Sequence, residues 1–161
     1  AGDGEGFKVA MSVLDKGRLH ISAVATGMSE RLISEMVGYS LERKQFGKPI
    51  MQHQLIQAMI ADSQAEAYAA RCMILDAARR RDAGENVTME ASCAKMFGTE
   101  ACGRIADRAV QVFGGAGYVT DYGIERFFRD ARIFRLYEGT TQIQQIIIAR
   151  ELARAGEKGL L

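Results

Sequence analysis

Glu138 has neighbours unlike those of an ordinary surface acid. It stands in Tyr137-Glu138-Gly139-Thr140, between an aromatic residue and a glycine, just ahead of a segment rich in isoleucine. Gly139 and Thr140 predict a turn followed by a helix N-terminus. An acid there is stabilised by the helix dipole, which is one sufficient reason for it. A purely structural acid would more naturally sit inside the first helical turn. Beside Tyr137 and an apolar helix, Glu138 is expected to be partly desolvated. Burial raises a carboxyl pKa and makes the ionised form a stronger base, suited to taking a proton from carbon.

Two further stretches carry polar or glycine-rich chemistry. In Leu41-Glu42-Arg43-Lys44-Gln45-Phe46-Gly47-Lys48-Pro49-Ile50, Arg43 and Lys44 are expected in the last turn of a long helix. Cations there interact favourably with the dipole, and the planar fork of Arg43 would equally suit a phosphate. In Phe113-Gly114-Gly115-Ala116-Gly117-Tyr118 the glycines could stop a helix, a task for which Gly114 alone suffices. Gly115 and Gly117 exceed that need and leave room for another backbone or a ligand. A dinucleotide fingerprint is excluded, because it requires a preceding strand and a helix precedes this cluster.

The elements that must position these residues read as helices. A single proline, Pro49, in 161 residues favours long uninterrupted helices. Apolar residues recur at steps of three and four from about Leu19 to Phe46, through Ile21, Val24, Ala25, Met28, Leu32, Met36 and Tyr39. A second pattern runs from about Ile50 to Ala83 and a third from Thr88, a plausible N-cap, to Phe113. A shorter stretch follows at Ile124 to Phe134. The fourth long helix starts after Gly139 with Thr140 as N-cap, carries Ile143, Ile146, Ile147 and Leu152, and closes at Gly156. The fold class expected is all-α, an antiparallel up-down four-helix bundle over residues 18–161. Residues 1–17 read as an extended lead-in from a preceding domain, because Phe7, Val9 and Met11 alternate as in a strand edge.

Composition narrows the function classes. Lys plus Arg is 21 and Asp plus Glu is 20, a net charge of +1. No electrostatic argument for nucleic acid or a membrane surface follows. Cys72, Cys93 and Cys102 lack CxxC spacing and are expected to be reduced core thiols. His20 and His53 are far apart, so a zinc site is not expected. No signal peptide opens the chain and no apolar run approaches the roughly 20 residues that span a bilayer, and reduced thiols suit a cytosol-like compartment.

Taken together, the phrases LDKGR, ERKQFGKPI, QVFGGAGYVTDYGIERFFRDARI and YEGTTQIQ occur in one order and at one set of separations. In this the chain resembles the C-terminal helical domain of the acyl-CoA dehydrogenases along its whole length. The resemblance implies FAD bound between domains and subunits, usually in a homotetramer built as a dimer of dimers. It implies α,β-dehydrogenation of an acyl-CoA thioester, with electrons passed to an electron-transferring flavoprotein.

Residue by residue, Glu138 matches the base, with Tyr137 and Gly139 lining the thioester pocket. Arg43 matches an arginine on the FAD pyrophosphate of a neighbouring subunit, with Gln45 and Phe46 beside it. Gln45 departs from the small hydroxyl residue common at its position. Gln111 to Gly115, including Gly114, match the segment on the adenosine part of that FAD. Thr140 and Gln142 match flavin-cofactor contacts, and Asp15 and Arg18 match positions on the acyl-CoA side. Some members place the base just before Arg18 instead; Gly17 stands there in this chain and cannot serve. The alternatives are an oxidase on the same scaffold and a non-catalytic helical oligomerisation module. The fragment alone, without the domain that covers the flavin, is expected to be inactive.

Overall fold

The computed structural model describes residues 5–160, and within these the side chains of residues 7–12 and 15 are outside the description. Helix α1 spans Gly6–Glu42, α2 Gln54–Asp82 and α3 Thr88–Phe113. Short helices α4 (Gly115–Tyr118) and α5 (Ile124–Ala131) follow, then a 3-10 turn over Arg132–Arg135 and the last helix, α6, Thr141–Glu157. The long helices α1, α2, α3 and α6 form the expected all-α bundle. Helix α3 is its centre, packed against α1, α2, α5 and α6.

The reason is composition along one face. Ala94, Ala101, Ile105, Ala106 and Ala109 of α3 are fully or almost fully buried. Small side chains let neighbouring helices approach, and Leu32 and Met36 of α1 fill the remaining space. Ser22, Thr26 and Ser29 of α1 are also buried. Each donates its hydroxyl to the carbonyl four residues back, at 2.8 to 2.9 Å, so no polar group is stranded. Glu66 ties α2 to α3 through Arg108 and Arg104, at 2.9 and 2.8 Å. Burial opposes its ionisation, yet these two guanidinium groups hold its carboxyl below the usual range.

Several boundaries differ from the sequence reading. The lead-in is helical rather than extended from Gly6 onward, and α1 crosses residues 17 and 18 without a break. The alternation of Phe7, Val9 and Met11 concerns side chains outside the described residues. Helix α1 stops at Glu42, so Arg43 is its extended C-cap rather than part of its last turn. Lys44–Gln45 and Lys48–Pro49 then form a two-residue-per-strand hairpin, with Lys44 opposite Pro49. Its turn, Phe46 at φ 54° and Gly47 at φ 79°, has both central residues at positive φ, as such tight hairpins require. Pro49 caps a 3-10 turn, Ile50–Gln52, so α2 starts at Gln54 rather than at about Ile50. Thr88 begins α3 but Val87 is its N-cap, while Asn86 Oδ1 accepts the Thr88 N–H at 3.0 Å. Helix α6 continues one residue past Gly156.

The cysteines also separate: Cys102 is buried, Cys93 half-buried and Cys72 exposed, so the core-thiol expectation fails for Cys72. Burial pushes the Cys102 thiol up to about 11. Among the described residues no helix is long and apolar enough to cross a membrane, and no cluster of histidine, cysteine and acidic residues could hold a metal ion.

The glycine cluster divides into two kinds of position. A Cβ on Gly117 would meet Phe113 Cβ and the Val110 carbonyl oxygen, both at 2.8 Å, so this glycine lets α4 fold back on α3. Gly114, at φ 61°, and Gly115 have no atom within 4 Å of such a Cβ, so packing does not require them to be glycine. Gly117→Ala is expected to destabilise the fold by about 1–3 kcal/mol, since the obstructing atoms are rooted in backbone. A thermal melt of the variant beside wild type measures it.

Candidate active site

The turn that carries Glu138 is held in an uncommon backbone conformation. Glu138 has φ 55° and Gly139 φ 89°, two successive residues in left-handed space. The conformation is strained for a glutamate and persists where surrounding contacts over-determine it. On the N-terminal side, Leu136 and Tyr137 donate their N–H groups to the Ile133 carbonyl, at 2.9 and 3.2 Å. On the C-terminal side, Thr140 is the N-cap of α6, its hydroxyl accepting the Ile143 N–H at 3.3 Å, as its sequence position predicted.

Underneath, Lys95 donates to the Gly139 carbonyl at 2.6 Å. Gln144 donates its side-chain amide to the carbonyls of Glu138 and Gly139, at 3.2 and 3.0 Å. Glu100 of α3 pins both ends of the segment, accepting from Thr141 Oγ1 at 2.8 Å and pairing with Arg135 Nε at 3.2 Å. Arg135 packs against Gly103, where a Cβ would come within 2.6 Å of its guanidinium carbon.

The Glu138 side chain is half-buried. Its carboxylate rests against Gly17 of α1, close enough that a Cβ there would lie 2.9 Å from its Cδ. The two positions at which the resemblance places a base are therefore one place in space, occupied here by Glu138. It lines a groove of about 490 Å³ between the start of α1, the start of α3 and α6. Leu14, Ile143, Ile146 and Ile147 give the groove apolar walls, and Arg18, Arg150 and Arg154 give it cations. An apolar strip beside cations suits a ligand with an apolar tail and an anionic head.

Exposure on α6 follows from this. Ile143, Ile146 and Leu152 are 45%, 61% and 40% exposed, so this part of the expected core stripe faces the groove and solvent, and Ile147 alone of the four is buried. Arg18 is buried and shares the groove. The Asp15 side chain lies outside the described residues. Tyr137 stacks on Phe134 with ring centres 6.0 Å apart, and burial, then the Glu138 charge, pushes its hydroxyl pKa up. Gln142 is exposed on the first turn of α6.

The second set of expected residues lies at the opposite end of α1. Tyr39 stacks on Phe113 with ring centres 4.1 Å apart, and Tyr122 packs edge-on against both. Beside them opens a groove of about 1060 Å³ lined by Arg43, Gln45, Phe46, Gly114 and Gly115. Phe46, on the hairpin tip, is 91% exposed. Gln111 is exposed in the last turn of α3, and its carbonyl accepts the Gly114 N–H at 3.2 Å.

These residues fit a dinucleotide cofactor such as FAD. Arg43 and Lys48 supply cations for phosphate, aromatic rings supply stacking surface, and the bare backbone at Gly114 and Gly115 allows close approach. Gly17 and the end of α1 at Glu42 are separated by about 37 Å of helix at the usual rise of about 1.5 Å per residue. The chain thus does not bring the Arg43 set and the Glu138 set together.

Lys95 and Gln144 are the site residues that sequence reasoning missed. Both are completely buried. The available signal was register: Lys95 follows Ala94 and precedes Gly98, and Gln144 sits three residues before Ile147, all on buried faces.

Comparison with known proteins places this geometry. The family model described as "Acyl-CoA dehydrogenase, C-terminal domain" matches residues 4–153. The chain is 43% identical over 150 residues to the caffeyl-CoA reductase-Etf complex subunit CarC of Acetobacterium woodii, covering 93% of this chain and 40% of that protein. It is 44% identical over 152 residues to cyclohexane-1-carbonyl-CoA dehydrogenase of Geobacter metallireducens, covering 94% and 40%. Among solved structures, butyryl-CoA dehydrogenase from Megasphaera elsdenii superposes with TM-score 0.93 at 38% identity, over 95% of this chain and 40% of that one. An FAD complex of PigA superposes with TM-score 0.91 at 28% identity, over 95% and 40%. The chain belongs to the acyl-CoA dehydrogenase family and carries its C-terminal helical domain. It spans about two fifths of the length of the relatives it matches.

Proposed function

We propose that this chain supplies the base and part of the FAD site of an enzyme that interconverts an acyl-CoA thioester and its α,β-unsaturated form. The observation that carries the reading is the Glu138 carboxylate, half-buried in an apolar-walled groove and packed against the side-chain-free Gly17. In dehydrogenation Glu138 removes the α-proton, and an acyl chain lying on the apolar walls of the groove would keep water from the developing negative charge. The Glu138 N–H is the chain's own candidate to stabilise the thioester oxygen. Bound FAD would supply the acceptor for the β-hydride. Arg43, Gln45, Phe46, Gly114 and Gly115 would hold its phosphate and adenosine side, and Thr140 and Gln142 would touch the cofactor near the base.

Because some 37 Å of α1 separates these two sets, a second copy of the chain would complete each cofactor site. This supports a homo-oligomer; the dimer of dimers is the arrangement that the family resemblance implies. The reverse reaction, reduction of an enoyl thioester, has a specific support in the 43% identity to a subunit of a caffeyl-CoA reductase-Etf complex. In that direction Glu138 returns the proton to the α-carbon. The same likeness supports an electron-transferring flavoprotein as electron partner.

A panel of straight, branched, cyclic and aryl acyl-CoAs, mixed anaerobically with the full-length protein, tests this. At least one is expected to bleach the flavin absorbance. No bleaching by any member of the panel, and no oxidation of the reduced protein by the matching enoyl-CoAs, would overturn the reading. Oxygen consumption on turnover would assign the protein to the oxidase alternative.

A further inference from the structure

We infer that Lys95 is a positioning residue for the base: from beneath the turn, its ammonium group fixes the Gly139 carbonyl and places a positive charge within electrostatic reach of the Glu138 carboxylate. The inference rests on Glu138 being the base. Four observations carry it. Lys95 is completely buried, which is rare for a lysine. Its hydrogen bond among the described residues goes to the Gly139 carbonyl, at 2.6 Å, rather than to a carboxylate. The carbonyl it grips belongs to a positive-φ pair, so the bond holds a conformation that Glu138 would not adopt unaided. Finally, Gln144 also donates to that carbonyl, at 3.0 Å, so the backbone oxygen would be satisfied without the lysine.

The fold therefore has little need of an ammonium group at this position. Burial, the largest influence, pulls its pKa down to about 8; Glu100 of α3 and Glu138 of the turn act to raise it, and Arg18 of α1 acts to lower it. Its ordinary value lies higher, so folding favours the neutral amine. The buried charge accordingly opposes stability below about pH 8, and that opposition fades as pH rises through this value. A methionine, one atom shorter and uncharged, would relieve the opposition. What methionine cannot supply is a cation beside the base and a second grip on the turn.

Lys95→Met in the full-length holoenzyme tests this, with wild type and Glu138→Gln measured alongside. The melting temperature is expected to equal or exceed that of wild type near neutral pH. The kcat is expected to fall about 10- to 100-fold with KM changed less than about threefold, as misplacement of a reacting group does. A Lys95→Met protein with wild-type kcat overturns the inference, and so does one whose loss falls on KM rather than kcat. So does one that cannot be isolated folded with flavin bound, since Lys95 would then be structural. If wild type fails to turn over, or Glu138→Gln does not lose activity, the parent reading falls instead.

Discussion

Glu138→Gln in the full-length protein is expected to lower acyl-CoA-dependent flavin reduction by about 10³- to 10⁴-fold, the upper range for loss of a general base. Thioester binding and melting temperature should change little. The substitution is isosteric, and the polar contacts that hold the turn are made by the backbone of Glu138 rather than by its side chain. The Gln144 bond to the 138 carbonyl and the Lys95 bond to the 139 carbonyl both survive. The loss should therefore fall on kcat, the signature of a group that acts in the transition state. No other carboxylate is well placed to substitute among the described residues lining the groove. Glu151, the second acid there, is committed to Arg154 at 2.8 Å and Arg150 at 3.4 Å. Rapid-mixing kinetics of flavin bleaching decides the matter. Activity at the wild-type level in Glu138→Gln would move the base elsewhere. Background activity in both proteins would favour a helical module whose site residues are idle.

The bundle was legible in the sequence because its punctuation is local. Apolar residues at helical spacing mark α2 and α3, and Gly139-Thr140 announces α6 with a cap that the structure reproduces. The start of α1 was not legible. Glycines at positions 2, 4 and 6 and an alternating apolar run look extended locally, whereas the backbone from Gly6 is continuous with a helix that packs along α3. The hairpin after Arg43 was hidden for another reason: Phe46 at positive φ is a conformation that no phenylalanine advertises.

The site shows the same division. Glu138 could be singled out from its neighbours in the chain, because an acid between an aromatic and a glycine before an apolar helix is locally odd. Its supports could not. Lys95 lies 43 positions earlier and Glu100 38 positions earlier, each reading as an ordinary polar residue of α3. Only the packing of α3 beneath the turn reveals that they hold it. Local chemistry singles out the candidate base; long-range packing determines what holds its turn.

Gly17→Ala separates these two contributions most sharply, because stability and activity should move in opposite directions. Within a helix interior, alanine is favoured over glycine by about 0.5–1 kcal/mol. Position 17 lies well inside α1, which spans Gly6–Glu42. The added methyl would meet the Glu138 carboxylate, with its Cδ at 2.9 Å, and no other atom is among its nearest contacts. The obstructing atoms are the free end of a flexible side chain, so they can rotate away at little energetic expense. The melting temperature should hold or rise by a few degrees. The carboxylate, however, would be displaced by the order of 1 Å from where it meets the α-carbon, and a shift of that size in a reacting group costs about 10²-fold in rate. Paired measurements of thermal unfolding and kcat/KM on the full-length protein check both halves. A destabilised Gly17→Ala would show that the contact is a rigid packing constraint. An equally stable variant with wild-type kcat/KM would show that the carboxylate does not work from its position against α1, and would remove the geometric basis for treating residues 17 and 138 as one site.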